Sequence, residues 1–88
     1  MTTTYRIANE IANEIVKVNN AKYETVKKRD IESFIKFDDL QYNLEESLVS
    51  FGYETTLVYE EGSPMIYCDG MIAFKAIGAS VSRIKEEN

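Results

Sequence analysis

Asp38-Asp39-Leu40-Gln41-Tyr42-Asn43-Leu44-Glu45-Glu46-Ser47-Leu48-Val49-Ser50-Phe51-Gly52-Tyr53 is the stretch in which the chain changes its hydrophobic period. Leu40, Leu44, Leu48 and Phe51 recur at the spacing of one helical face. Asp38 with Gln41 three residues later has the form of a capping box, so a helix is expected to begin there. Gly52 offers the left-handed residue that commonly closes a helix. Beyond it, residues 53–60 are rich in Tyr, Thr, Leu and Val, which favour strand. The face of this helix away from its leucines carries Asp39, Asn43, Glu46 and Ser50, with Tyr42 and Glu45 on the flanks.

Toward the N-terminus, Thr4 can cap a first helix whose apolar positions Ile7, Ala8, Ile11, Ala12, Ile15 and Val18 recur every three or four residues. Within it Ile7-Ala8-Asn9-Glu10 is repeated as Ile11-Ala12-Asn13-Glu14, which stacks isoleucine on isoleucine along one stripe. Asn19-Asn20 is expected to end this helix. Residues 23–26 then offer a short extended piece, and Asp30 can cap a short second helix through Ile31, Phe34 and Ile35. Lys27-Lys28-Arg29, the one basic cluster, reads as a solvated connector because acids follow at Asp30 and Glu32.

Toward the C-terminus, Glu61-Gly62-Ser63-Pro64 is turn chemistry and residues 65–68 resume an extended run. Asp69-Gly70 is a two-residue hairpin signal, and residues 71–77 supply the returning strand. Residues 78–88 fit either a last strand or a short helix. The expected fold is therefore α+β in one domain, residues 1–88, with about three helices followed by a three-stranded antiparallel β-meander. That order of elements is reminiscent of a winged helix-turn-helix, whose third helix enters the DNA major groove.

Charge argues against DNA readout. Residues 37–74 hold eight carboxylates and no lysine or arginine. The formal charge of −5 is thus sorted: seven bases and five acids give +2 for residues 1–36, the middle block carries −8, and three bases and two acids give +1 for residues 75–88. A helix and wing that bind DNA need cations to neutralise phosphates, and these carry the opposite sign. A block of one sign attracts partners of the other, so a basic protein surface is the expected partner.

The absence of histidine removes the one side chain whose unperturbed pKa lies near neutrality. Ser-His-Asp and Cys-His arrangements cannot form within one chain, and neither can His-containing zinc sites. The single cysteine, Cys68, has no cation within six residues to activate it and reads as a small strand filler. Asp38-Asp39 and Glu60-Glu61 lack the alternating spacing of a calcium loop. No cofactor, metal site or catalytic residue is expected. The N-terminus lacks a basic region followed by an apolar core, and no apolar run approaches the ~20 residues of a bilayer span, so a cytoplasmic location is expected.

The expectation for function is a small acidic non-enzymatic binding module. Its candidate partner-binding residues are Asp38, Asp39, Tyr42, Glu45, Glu46, Tyr53, Glu60 and Glu61, since tyrosine beside carboxylate suits a lysine- or arginine-rich surface. The sharper version is an inhibitor that occupies the phosphate-binding face of a nucleic-acid-binding protein as a charge mimic, a role of phage or mobile-element accessory proteins. The alternatives are a self-assembling protein such as a homodimer, in which basic ends meet the acidic block, and a winged-helix-like regulator that contacts protein.

Overall fold

Two helices and four strands make up the computed structural model of the chain, which describes residues 3–60, 66–68 and 70–85. They follow in the order α1 (Thr3–Lys27), α2 (Ile31–Ser50), β1 (Tyr53–Tyr59), β2 (Ile66–Cys68), β3 (Met71–Ala73) and β4 (Ala76–Arg83). The α+β class is as expected from the sequence, whereas the number of helices and the strand pairing differ.

Asn19 and Asn20 do not end α1, because their amides are engaged elsewhere. Asn19 Nδ2 donates to the Phe74 carbonyl at 2.8 Å. The Asn20 side chain binds Ala76 at both backbone groups, with Nδ2 donating to the carbonyl at 2.9 Å and Oδ1 accepting the N–H at 2.8 Å. An asparagine so occupied has no call on its own backbone, and the helix continues. It absorbs the piece expected to be extended, since Asn19, Tyr23 and Val26 are buried at the helical spacing of four and three.

The connection to α2 is three residues, Lys28, Arg29 and Asp30. Asp30 N–H bonds to the Thr25 carbonyl at 2.9 Å and Arg29 N–H to the Val26 carbonyl at 3.1 Å, with Arg29 in the left-handed region at φ 57°. This is a Schellman closure. Asp30 then caps α2, its Oδ1 accepting the Ser33 N–H at 3.1 Å.

The second and third helices of the sequence reading are one helix. Asp38 and Gln41 lie in its middle and form no capping box. Its inward face runs Phe34, Phe37, Gln41, Leu44 and Leu48, all buried or half-buried, while Leu40 and Phe51 from the expected leucine stripe are exposed. Continuity with residues 31–37 rotates the helix, so that Gln41 faces inward where Leu40 is expected to.

The strands form one long interrupted hairpin. β1 pairs antiparallel with β4 from Tyr53↔Arg83 to Tyr59↔Ala76, with an irregularity at Val58/Tyr59. Nested inside, β2 pairs with β3 from Ile66↔Ala73 to Cys68↔Met71. The three-stranded meander is replaced because the eight-residue β4 offers β1 seven partners, where three-residue β2 could offer few. Its inward Ala79 and Val81, opposite Leu57 and Thr55, are small enough to lie under α1. With two helices and two separate two-stranded sheets, the winged-helix order does not hold. The turn expected at residues 61–64 lies outside the described residues.

Packing follows the length of α1, whose 25 residues span roughly 37 Å and match the molecule's 42 Å long axis. Around its first half Ala8, Ala12 and Ile15 pack with Leu48 and Tyr53; around its last turns Tyr23 and Val26 pack with Met71 and Ala73. The two asparagines hold the hairpin to the helix between these clusters. No helix among the described residues is long and apolar enough to cross a membrane.

Candidate functional site

Five of the candidate residues, Asp38, Asp39, Tyr42, Glu45 and Glu46, lie on two consecutive turns of α2 and are exposed. Asp38 is the one whose charge is met. Lys22 of α1, its side chain 13% exposed, reaches Oδ1 at 2.9 Å while its ammonium stands 5.5 Å over the Phe34 ring. The pair follows from the tight turn, since Lys22 and Asp38 are each eight residues from Asp30. Antiparallel helices bring such positions together.

Gln41 sits beneath this face. Its Nε2 donates to Glu45 Oε1 at 3.2 Å, which fixes that carboxylate, while its Oε1 is buried without a hydrogen-bond partner. An open cleft of about 280 Å³ is lined by Lys22, Asp38, Gln41, Tyr42 and Glu45. A second of similar volume continues from Glu45 through Glu46 and Val49 to Glu54 and Thr55 of β1, where Thr55 Oγ1 is likewise buried and unpartnered. Glu45 lines both.

Among the described residues the ion pairs are Glu14–Lys17, Lys22–Asp38 and Glu24–Lys27. Asp39, Glu45, Glu46 and Glu54 are therefore exposed and make no ion pair among the described residues. A surface of this kind offers acceptors and negative field to a lysine or arginine. Among the described residues no group of three or more His, Cys, Asp or Glu side chains is placed to hold a metal ion.

The remaining candidates are elsewhere. Tyr53 is 7% exposed and packs edge-to-face on Tyr5, ring centroids 6.0 Å apart, so it is a core residue and not a surface for a partner. Glu60 follows the far end of β1, six residues from Glu54 and roughly 20 Å away along an extended strand. Its N–H donates to the Lys75 carbonyl at 3.4 Å. Glu61 lies outside the described residues. Sequence reasoning missed Lys22, Gln41 and Glu54, whose roles depend on the helix pairing and on β1 running beside α2.

Exposed apolar side chains also lie where β1 ends and β4 begins. Tyr59 and Phe74 stack at 5.5 Å with an interplanar angle of 54°, and Val58 and Ile77 are exposed on the same strand ends. Comparison of the chain with protein-family models, with curated proteins and with solved structures finds no match to any of them.

Proposed function

We propose that this chain is a non-enzymatic binding module that engages a basic protein surface through the outer face of α2. The observation that carries the reading is the set of exposed carboxylates without an ion pair, Asp39, Glu45, Glu46 and Glu54, the last three lining two clefts that share Glu45, with the exposed Tyr42 ring in the first cleft. Unpaired charges of one sign raise the rate of encounter with an oppositely charged partner, and an exposed tyrosine supplies a rigid anchor once contact is made. A nucleic-acid-binding protein is the partner class that presents such a basic surface, which makes the chain an antagonist by charge mimicry.

The experiment is capture from a host lysate at moderate salt with the wild-type chain and with the triple variant Asp39→Lys, Glu45→Lys, Glu46→Lys. Basic nucleic-acid-binding proteins retained by the first and lost by the second support the reading. The same proteins retained equally by both overturn it. Asp39→Lys and Glu46→Lys are at exposed positions, where changes usually alter stability by less than about 0.5 kcal/mol, and because Glu45→Lys also removes the partner of buried Gln41, an unchanged urea midpoint of the triple variant is required before loss of binding is assigned to charge.

Self-association is the second reading, favoured by the exposed Val58, Tyr59, Phe74 and Ile77 where β1 ends and β4 begins. Sedimentation velocity separates the two, since a dimer through this patch is disrupted by Ile77→Lys and is indifferent to the acidic triple variant.

A further inference from the structure

The outer face of α2 carries a pattern that charge alone does not explain. Ile31, Ile35, Asp38, Tyr42, Glu45 and Val49 follow one another at intervals of four, three, four, three and four residues, the spacing of a coiled-coil seam. Ile35, Tyr42 and Val49 form a seven-residue apolar column whose members are 53%, 62% and 48% exposed. Beside it runs a second seven-residue column, Glu32, Asp39 and Glu46, entirely acidic and exposed. A seven-residue repeat drifts only about 20° per repeat around a straight helix, so each column stays on one side of the α2 cylinder over its length. The inward face is made by other positions, Phe34, Gln41 and Leu48, so none of this pattern is used by the chain's own core.

Scattered exposed apolar residues are ordinary on protein surfaces. An apolar column at seven-residue spacing flanked by an acidic one is a more specific feature, and its members Tyr42, Glu46 and Val49 line the clefts already described. Resting on the reading of this acidic face as the binding surface, we infer that its occupant is a basic amphipathic helix of the partner, laid along α2. Such a helix places apolar side chains on Ile35, Tyr42 and Val49 and lysine or arginine against Glu32, Asp39, Glu45 and Glu46. Charge complementarity selects this occupant over a second copy of the chain. Two α2 helices set face to face bring like carboxylates together, and the single base of α2, Lys36, lies away from the seam. An extended basic segment meets the carboxylates but leaves the apolar column uncovered.

The test uses two fluorescent peptides of identical Lys/Leu composition, one with its leucines at heptad spacing and one scrambled so that it cannot form an apolar face. Their binding to the full chain is measured by fluorescence anisotropy at low and moderate salt. The heptad peptide is expected to bind at least ten-fold more tightly than the scrambled one, and to gain helicity by circular dichroism on binding. The variant Tyr42→Ala, Val49→Ala is expected to remove most of that ten-fold advantage while leaving the scrambled peptide's affinity unchanged. Equal binding of both peptides overturns the helix seam and leaves the acidic-face reading standing. Binding of neither peptide overturns both. A chain that sediments as a dimer and becomes a monomer on Val49→Lys overturns the inference in favour of a second copy on this face.

Discussion

Asn20 shows how much one side chain can decide. Its amide satisfies both backbone groups of Ala76, 56 residues away in sequence, as a neighbouring strand would. Asn20→Ala removes two hydrogen bonds and leaves an N–H and a carbonyl without partners in a partly buried site. A loss of about 2–4 kcal/mol is expected from the shift of the urea midpoint. Asn13→Ala is the control, since Asn13 is exposed on the same helix and its replacement is expected to cost within about 0.5 kcal/mol. The same pair shows where a sequence stops being legible. Asparagines 13 and 20 look alike in a linear reading, and Asn19-Asn20 reads as a helix end because the backbone groups that occupy these amides belong to Phe74 and Ala76, 55 and 56 residues later.

At the scale of elements, the rotation of α2 gives a direct comparison. Leu48→Ala is expected to cost about 2–5 kcal/mol, because Leu48 is 1% exposed and its loss leaves a cavity, whereas Leu40→Ala is expected to cost less than about 1 kcal/mol. Equal shifts in urea midpoint would mean that the leucine stripe of the sequence reading faces the core after all. The turn between the helices holds Arg29 at φ 57°, a region that costs a non-glycine residue about 1–2 kcal/mol. Arg29→Gly relieves that strain and gives back part of the gain as unfolded-chain entropy, so thermal denaturation should show a net rise of up to about 1 kcal/mol. Asp30, next to it, has its pKa lowered from 3.8, first by the hydrogen bond from the Ser33 side chain and then by the Ser33 N–H, with Lys36 and Lys28 adding to the effect. A carboxylate whose pKa is depressed on folding supports the fold above its unfolded pKa and loses that support as pH falls through the folded value. Acid titration below about pH 4 should therefore loosen the α2 N-terminus in the wild type. Asp30→Asn, which caps without a charge, should flatten that pH dependence in the amide chemical shift of Ser33. The Asp30 cap, the strand beginning at Tyr53 and the helix-to-strand switch at Gly52 were legible in local chemistry, whereas the Thr4 cap, the Asp38–Gln41 capping box, the helix end at Asn19-Asn20 and the extended piece at 23–26 were misread. Which helix segments were continuous and which strand paired with β1 were not legible, because both depend on what packs across α1. The acidic face was legible as composition, but its compensation by Lys22 and its extension to Glu54 needed the fold.

For the whole molecule, the field set up by the acidic block has a simple outcome. The purified chain is expected not to bind duplex DNA at roughly 0.15 M salt, because α2 and β1 repel phosphates. Submicromolar, salt-sensitive binding in an anisotropy titration would contradict the charge assignment. The asparagine clamp between α1 and the hairpin also has a meaning in time. Helix pairs closed by a short turn form within microseconds, but translation proceeds at about 5–20 residues per second. The 26 residues from Phe51 through Ala76 therefore take on the order of one to five seconds to be added. Until the hairpin is available, a helical pair would leave Ala8, Ala12 and Ile15 uncovered on one side and the amides of Asn19 and Asn20 turned to water. Synthesis thus passes through a half-built molecule whose apolar flank is closed only when the last strand is delivered.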